Sequence, residues 1–258
     1  MNMAASIKTF YTLSGYDINL HHPVLDLYLK ACKKTMSNQS HPKSPILPAH
    51  LVLIPTVLTK SPIHRAFHAA LLVQFFSCIR KSNLLPASSS ALKSHMHLKR
   101  ADIVSTSDSI ILVLPWTKTL QSKDNIHTIP IAKMDGAAIN PVQVYQDFVA
   151  DNPVPMNFPA FAYRQAGEVR ILTQYQYIDI LKKSLESLGI PSANFSSHSV
   201  RRGGTSLLFE SGLSTQLIQH HGTWKSNCYT RYITLNHTQK LKPSQAMLNH
   251  FIKNFGHL

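Results

Sequence analysis

Apolar positions along this chain follow a helical period at both ends and a strand-like period in the middle. After Ser61-Pro62, an N-cap and a first-turn proline, the chain is apolar at Phe67, Ala70, Leu71, Phe75 and most positions between. That run is too continuous for one surface stripe, so it predicts a deeply buried helix running on into Cys78-Ile79-Arg80. Ahead of it, residues 1–20 show no firm periodicity, and residues 23–34 (PVLDLYLKACKK) predict a short helix opened by Pro23. Ser37–Pro48 is a Pro/Ser-rich linker, and His50–Leu58 reads as a short helix or loop. Three β-branched apolar runs follow, Ala101–Thr106, Ile110–Trp116 and Ile126–Ile131, and predict strands, the last two joined across the polar Gln121–Asn125. Helical periodicity returns at Pro141–Ala150. A Pro-rich insert, Pro153–Arg170, comes next, with a short hairpin around Gln165-Ala166-Gly167. Thr173–Leu188 predicts a helix capped by Thr173 and ended by Gly189. Further helices are expected from His198 to a stop at Gly212, over Ser214–His220, and over Asn227–Tyr232. Within Lys242–Phe255, Met247, Leu248, Phe251, Ile252 and Phe255 form an apolar stripe.

Charge narrows the partner. The 258 residues are 44% apolar, enough to bury a core, yet Lys and Arg outnumber Asp and Glu by 26 to 12, a net charge of +14. Such an excess favours a polyanion, most simply nucleic acid, over an anionic membrane or no partner at all. The longest apolar runs, such as Ala69–Val73 and Ile110–Leu114, are far too short to cross a bilayer, and the N-terminus lacks a signal-peptide pattern. Cys32, Cys78 and Cys228 are widely spaced, which argues for a reducing, intracellular setting and against a disulfide framework or a cysteine zinc site. Fifteen histidines invite a metal reading, but there is no HExxH, and His21-His22 and His220-His221 are adjacent pairs that a helix splays apart.

The chemistry concentrates in Ser197-His198-Ser199-Val200-Arg201-Arg202-Gly203-Gly204, then Gly222-Thr223-Trp224 and Tyr229-Thr230-Arg231-Tyr232-Ile233. On a helix His198 shares a face with Arg201, three residues on, and Arg202 is four on, so periodicity leaves both arginines open. Gly203-Gly204 permits close backbone approach behind them. The combination is an anion clamp beside a phenol nucleophile, with Tyr229 and Tyr232 three residues apart and equally open. Elsewhere, Arg80 ends an apolar helix, where it either serves the helix dipole or faces a ligand. Lys93, His95, His97, Lys99 and Arg100 lie in a polar stretch suited to phosphates or to plain solvation. Lys118, in Pro115-Trp116-Thr117-Lys118-Thr119, is a hairpin-tip lysine of a kind that also guards sheet edges, with Lys123 competing.

Taken in order, His-x-x-Arg, Gly-x-Trp and Tyr-Ile resemble the catalytic domain of the tyrosine recombinases, the phage-integrase family. The form HSVRRGGTSLLFESGLSTQLIQHHGTWKSNCYTRYI looks most like recombinases of eukaryotic mobile elements of the Crypton and Ngaro kind. The resemblance runs from about residue 40 to about residue 235. It implies an α+β fold, mainly α-helical, with a small antiparallel three-stranded sheet. It divides the chain into residues 1–45, the remnant of an N-terminal helical DNA-binding domain with its linker, and a catalytic domain over residues 46–258.

The function it implies is site-specific recombination or integration of double-stranded DNA through a covalent 3′-phosphotyrosine, with no metal or nucleotide cofactor. Arg80 and Arg201 would clamp the phosphate, with Asn83 at a place that holds an acidic or amide residue. His198 would donate to a phosphate oxygen or take the tyrosine proton, the Trp224 N–H would hold phosphate, and Lys118 would protonate the departing 5′ oxygen. Tyr232 is favoured as nucleophile over Tyr229, because it follows Trp224 by eight residues and precedes Ile233. Lys81, Lys93, Lys99, Arg100 and Arg202 would touch DNA further out. A homo-oligomer, a tetramer on DNA, would assemble through the C-terminal segment, and the setting would be the nucleus. Two alternatives stand beside this: a catalytically inactive DNA-binding remnant, and a type IB topoisomerase-like relaxase.

Overall fold

Two prolines open two successive helices in the computed structural model, α1 (Pro48–Val57) and α2 (Pro62–Ser77). Proline is favoured there because its missing N–H has no intrahelical partner to lose. The structure describes residues 9–16, 43–90, 96–114, 127–224 and 227–233, with shorter pieces at 23–24, 27–28, 31–32, 241 and 243–249; the side chains of residues 228, 231 and 232 lie outside the description. By contacts the chain divides into two units, residues 1–42 and 43–258. In the first, residues 9–13 are helical where no periodicity announces it, closed by Gly15 in the left-handed region (φ 84°). The described residues between 23 and 32 are helical, as their pattern predicts.

In the second unit α2 is the hub. Ala66, Phe67, every residue from Ala69 to Phe75, and Ser77 are buried. A helix buried on all sides must be surrounded, and α2 is. It packs against β3 (His127–Ala132), α4 (Pro141–Asp151), β4 (Ala162–Gln165), α5 (Gln174–Ser187) and α6 (Ser197–Glu210). β3 belongs to an antiparallel sheet ordered β1 (Ile103–Ser105), β2 (Ser109–Leu114), β3. In β2 the buried residues alternate as Ile110, Leu112 and Leu114, and the register sets Ile110 opposite Ile131 and Leu112 opposite Ile129, so one face of the sheet joins the core. Pro130 is tolerated because β3 is an edge strand of this sheet.

The Pro-rich insert forms a second hairpin, β4 with β5 (Glu168–Ile171). Its turn, Ala166 (φ 50°) and Gly167 (φ 82°), takes the two positive-φ positions that match strand twist. α5 carries a full capping box, Thr173 with Gln176, at the predicted start. α7 (Thr215–His221) is capped by the Ser214 side chain, and a 3-10 turn covers Asn227–Tyr232. No helix among the described residues is long and apolar enough to cross a membrane.

Candidate active site

The site begins where α2 stops. The apolar pattern predicts a helix running through to Arg80, but the chain breaks at Cys78, which takes the left-handed conformation (φ 53°, ψ 22°). For a residue with a β-carbon that costs on the order of 1 kcal/mol or more, so something must hold it. The fully buried Gln74 does so: its amide nitrogen donates to the Ile79 carbonyl (3.3 Å), and its amide oxygen accepts from the Tyr177 hydroxyl of α5 (2.6 Å). A lone amide within the run Ala69–Phe76 was the available signal for this role. Burial pushes the Cys78 thiol up to about 12, with Arg201 pulling the other way, so it stays a protonated packing group. Beyond the break Arg80 is extended and caps a four-residue helix, α3 (Lys81–Leu84).

α6 supplies the facing wall. The Ser196 hydroxyl accepts from the His198 N–H (3.3 Å), and the Ser196 N–H donates to the Ser199 hydroxyl (2.9 Å). Gly203 and Gly204 let this helix lie on backbone. A β-carbon at Gly203 would overlap the Ile46 carbonyl, and one at Gly204 the Phe75 carbonyl. This close approach carries His198 and Arg201 to the end of α2.

The result is one open pocket of about 240 Å³, lined by Gln74, Arg80, Lys81, Ser82, Gln174, Ser197, His198 and Arg201. Three of its described lining residues are cations and none is a carboxylate. The positive end of the α6 dipole adds to that field. Of the two candidate arginines, Arg201 lines the pocket and Arg202 does not.

Arg201 is 1% exposed; one terminal nitrogen, Nη2, donates to the Gly222 carbonyl (2.8 Å), and its guanidinium lies 4.3 Å from the Trp224 ring centroid. The Nη1 of Arg80 is buried with no hydrogen-bond partner among the described residues. Burial, then Arg201, Lys81 and Arg80, hold the His198 pKa below its ordinary value, so its neutral imidazole is favoured near pH 7 and can accept a proton.

Trp224 does not line the pocket. Gly222 makes room for its ring, since a β-carbon there would overlap it, and Thr223 enters the left-handed region (φ 58°) just before it. The indole backs Arg201 and packs with Cys78, Ile218 and Tyr229, whose ring centroid is 5.9 Å away. Tyr229 is thus a buried packing residue. The 3-10 turn that Tyr232 closes packs against α6; the Tyr232 side chain lies outside the described residues. A His221 ring nitrogen lies 2.7 Å from the Phe76 carbonyl and ties α7 to the end of α2. Beside it, His220 sits 4.7 Å from His127, where β3 begins.

Lys93, Lys118 and Lys123 lie outside the described residues. Lys99 is half-buried, and Arg202 is half-buried on α6. Arg100 needs correcting as a DNA contact. It is 3% exposed, donates to the Ala162 carbonyl (2.9 Å) and lies 5.1 Å from the Phe148 ring centroid, so it ties the sheet region to β4 and α4. Asn83 is also buried, its carbonyl accepting from the Leu98 N–H (2.7 Å). Among the described residues no group of three or more His, Cys, Asp or Glu is placed to hold a metal.

No sequence-family model and no curated protein matches this chain. Solved structures do match in fold, and they are tyrosine recombinases and integrases. A Tn1549 transposon integrase in complex with transposon right end DNA matches with TM-score 0.58 and 14% identity, over 96% of this chain and 78% of that one. The XerH site-specific recombinase bound to palindromic difH substrate, in a post-cleavage complex, matches with TM-score 0.57 and 16% identity over 83% of this chain. XerA recombinase matches with TM-score 0.52 and 14% identity, over 95% of this chain and 73% of that one. The chain spans 55% of the XerH chain. The mainly helical architecture with small antiparallel sheets is the tyrosine-recombinase catalytic fold.

Proposed function

We propose that this chain is the catalytic part of a site-specific DNA recombinase or integrase that breaks and rejoins strands through a 3′-phosphotyrosine. One observation carries the reading. Arg80 and Arg201, far apart in sequence, meet with His198 at a single cationic pocket, on a fold whose solved neighbours include a recombinase and an integrase in complex with DNA. A phosphodiester resists attack because it is already an anion. Catalysis therefore needs charge neutralisation, alignment and a protonated leaving group.

The chain's residues suit each need. Arg80 and Arg201 neutralise the non-bridging oxygens, Arg201 being held from behind by Trp224 and Gly222. Neutral His198 takes the phenolic proton of Tyr232. The phenolate attacks phosphorus, the bond from phosphorus to the 5′ oxygen breaks, and that oxygen takes a proton from Lys118. A free 5′-hydroxyl and a tyrosyl 3′-phosphate result. Because the phosphodiester energy is kept in the adduct, a new 5′-hydroxyl can reverse the step and join strands. The exposed Met247 and Leu248 suit assembly of copies through the C-terminal segment, and a eukaryotic mobile-element recombinase would do this work in the nucleus.

The test is covalent trapping. The full chain is incubated with nicked duplexes taken from the DNA flanking its coding sequence, then denatured. The reading predicts a protein–DNA adduct on the 3′ side of the break, and recombinant product only when two sites are present. Product from a single site would favour a relaxase, and no adduct on any duplex would contradict strand breaking.

A further inference from the structure

The pocket holds one cation more than the two arginines that the mechanism uses. We propose that Lys81 is a catalytic residue whose ammonium contacts the phosphate in this pocket, rather than an outer DNA contact; this rests on reading the pocket as a phosphate site. The break at Cys78 sets its place. Because the chain leaves α2 there and restarts at Arg80, Lys81 becomes the first residue of α3 and lines the same wall as Arg80, across from Ser197, His198 and Arg201. A helix continuing through Arg80 would give successive residues diverging directions.

No carboxylate pairs with Lys81 among the described residues, and none lines the pocket. Lys81 is partly buried, and burial lowers its pKa, so an anion in the pocket would compensate for the lost hydration. The chemistry also separates it from its neighbours. Arginine forks fix two oxygens in a plane, whereas an ammonium on a flexible stem presents three donors around a point charge. It can reach a phosphate oxygen that the two forks leave bare.

His198 reports on this arrangement. The charged groups that bear on it are Arg201 from its own helix and Lys81 and Arg80 from across the pocket. The experiment follows the His198 imidazole by NMR titration in the full chain, with and without inorganic phosphate, in wild type, Lys81→Gln and Lys81→Arg. In Lys81→Gln the His198 midpoint is expected to rise, because a repelling charge is gone, and phosphate affinity to fall about tenfold, while Lys81→Arg keeps both near wild type. On trapped DNA, Lys81→Gln should slow adduct formation about 100-fold with little change in DNA binding. An unchanged His198 midpoint with unchanged phosphate affinity in Lys81→Gln would overturn the proposal. The phosphate arm needs no strand cleavage. Phosphate binding without any adduct in wild type would therefore count against recombination and leave Lys81 as a pocket cation.

Discussion

Arg201 and Trp224 form a stacked pair, with the guanidinium 4.3 Å from the indole centroid and its Nη2 donating to Gly222 O at 2.8 Å. Trp224 does not line the pocket but stacks on Arg201, and its expected contribution runs through that arginine. A desolvated cation–π contact is worth about 2 kcal/mol, which would be about 30-fold in rate if all of it were felt in the transition state.

Trp224→Ala should therefore slow adduct formation roughly tenfold, Trp224→Phe less, and Arg201→Ala or Arg80→Ala about 100-fold with most DNA binding retained. Adding Trp224→Ala to Arg201→Ala should cost little more, because the partner it supports is gone. Single-turnover rates of the two single variants and the double variant check this. Additive losses would mean that Trp224 acts on DNA independently. A larger loss in Arg202→Ala than in Arg201→Ala would put the wrong arginine in the clamp.

The packing of α6 on α2 makes a second expectation. Gly204→Ala would drive a β-carbon into the Phe75 carbonyl, and Gly203→Ala into that of Ile46; neither obstacle is a flexible side-chain tip. Each should cost about 1–3 kcal/mol of stability, read by urea unfolding, and should misplace His198 and Arg201. Wild-type stability in Gly204→Ala would contradict the close approach.

These glycines show what the sequence discloses. Gly203-Gly204 announces close contact because little else explains two adjacent glycines inside a helix. Ser61-Pro62 and Thr173 announce helix starts because capping is local chemistry. The break at Cys78 is not local. No glycine or proline marks it, and its conformation is held by Gln74 and by Tyr177, a residue from another helix. Arg100 misleads for the same reason. Its polar surroundings in sequence suggest solvent, while its partners, Ala162 and Phe148, arrive from distant elements. Lys81 looks like one more surface lysine until the break turns it into the pocket.

Stability should fall in mild acid. Burial lowers the His68 pKa to about 4 from its ordinary 6.5, and its Nε2 is buried with no hydrogen-bond partner among the described residues. Between those values the unfolded chain binds the proton that the folded chain refuses. Stability therefore rises with pH across the window and is lost as pH drops from 6.5 toward 4, by up to about 3 kcal/mol from this residue. His221, His198 and His127 are lowered as well and act in the same direction. Urea unfolding at stepped pH should show this slope, and His68→Leu should flatten it. An equally steep slope in His68→Leu would assign the effect elsewhere.

The nucleophile is the most direct test. Tyr229 is 4% exposed and packed on Trp224, while Tyr232 closes the turn that lies against α6. Tyr229→Phe should keep both DNA binding and the adduct, and Tyr232→Phe should keep binding and lose the adduct. The deciding measurement is peptide mass mapping of the protein trapped on a nicked duplex. The account predicts a single nucleotide-bearing peptide, modified at Tyr232. Modification at Tyr229, or an adduct that survives in Tyr232→Phe, would contradict it.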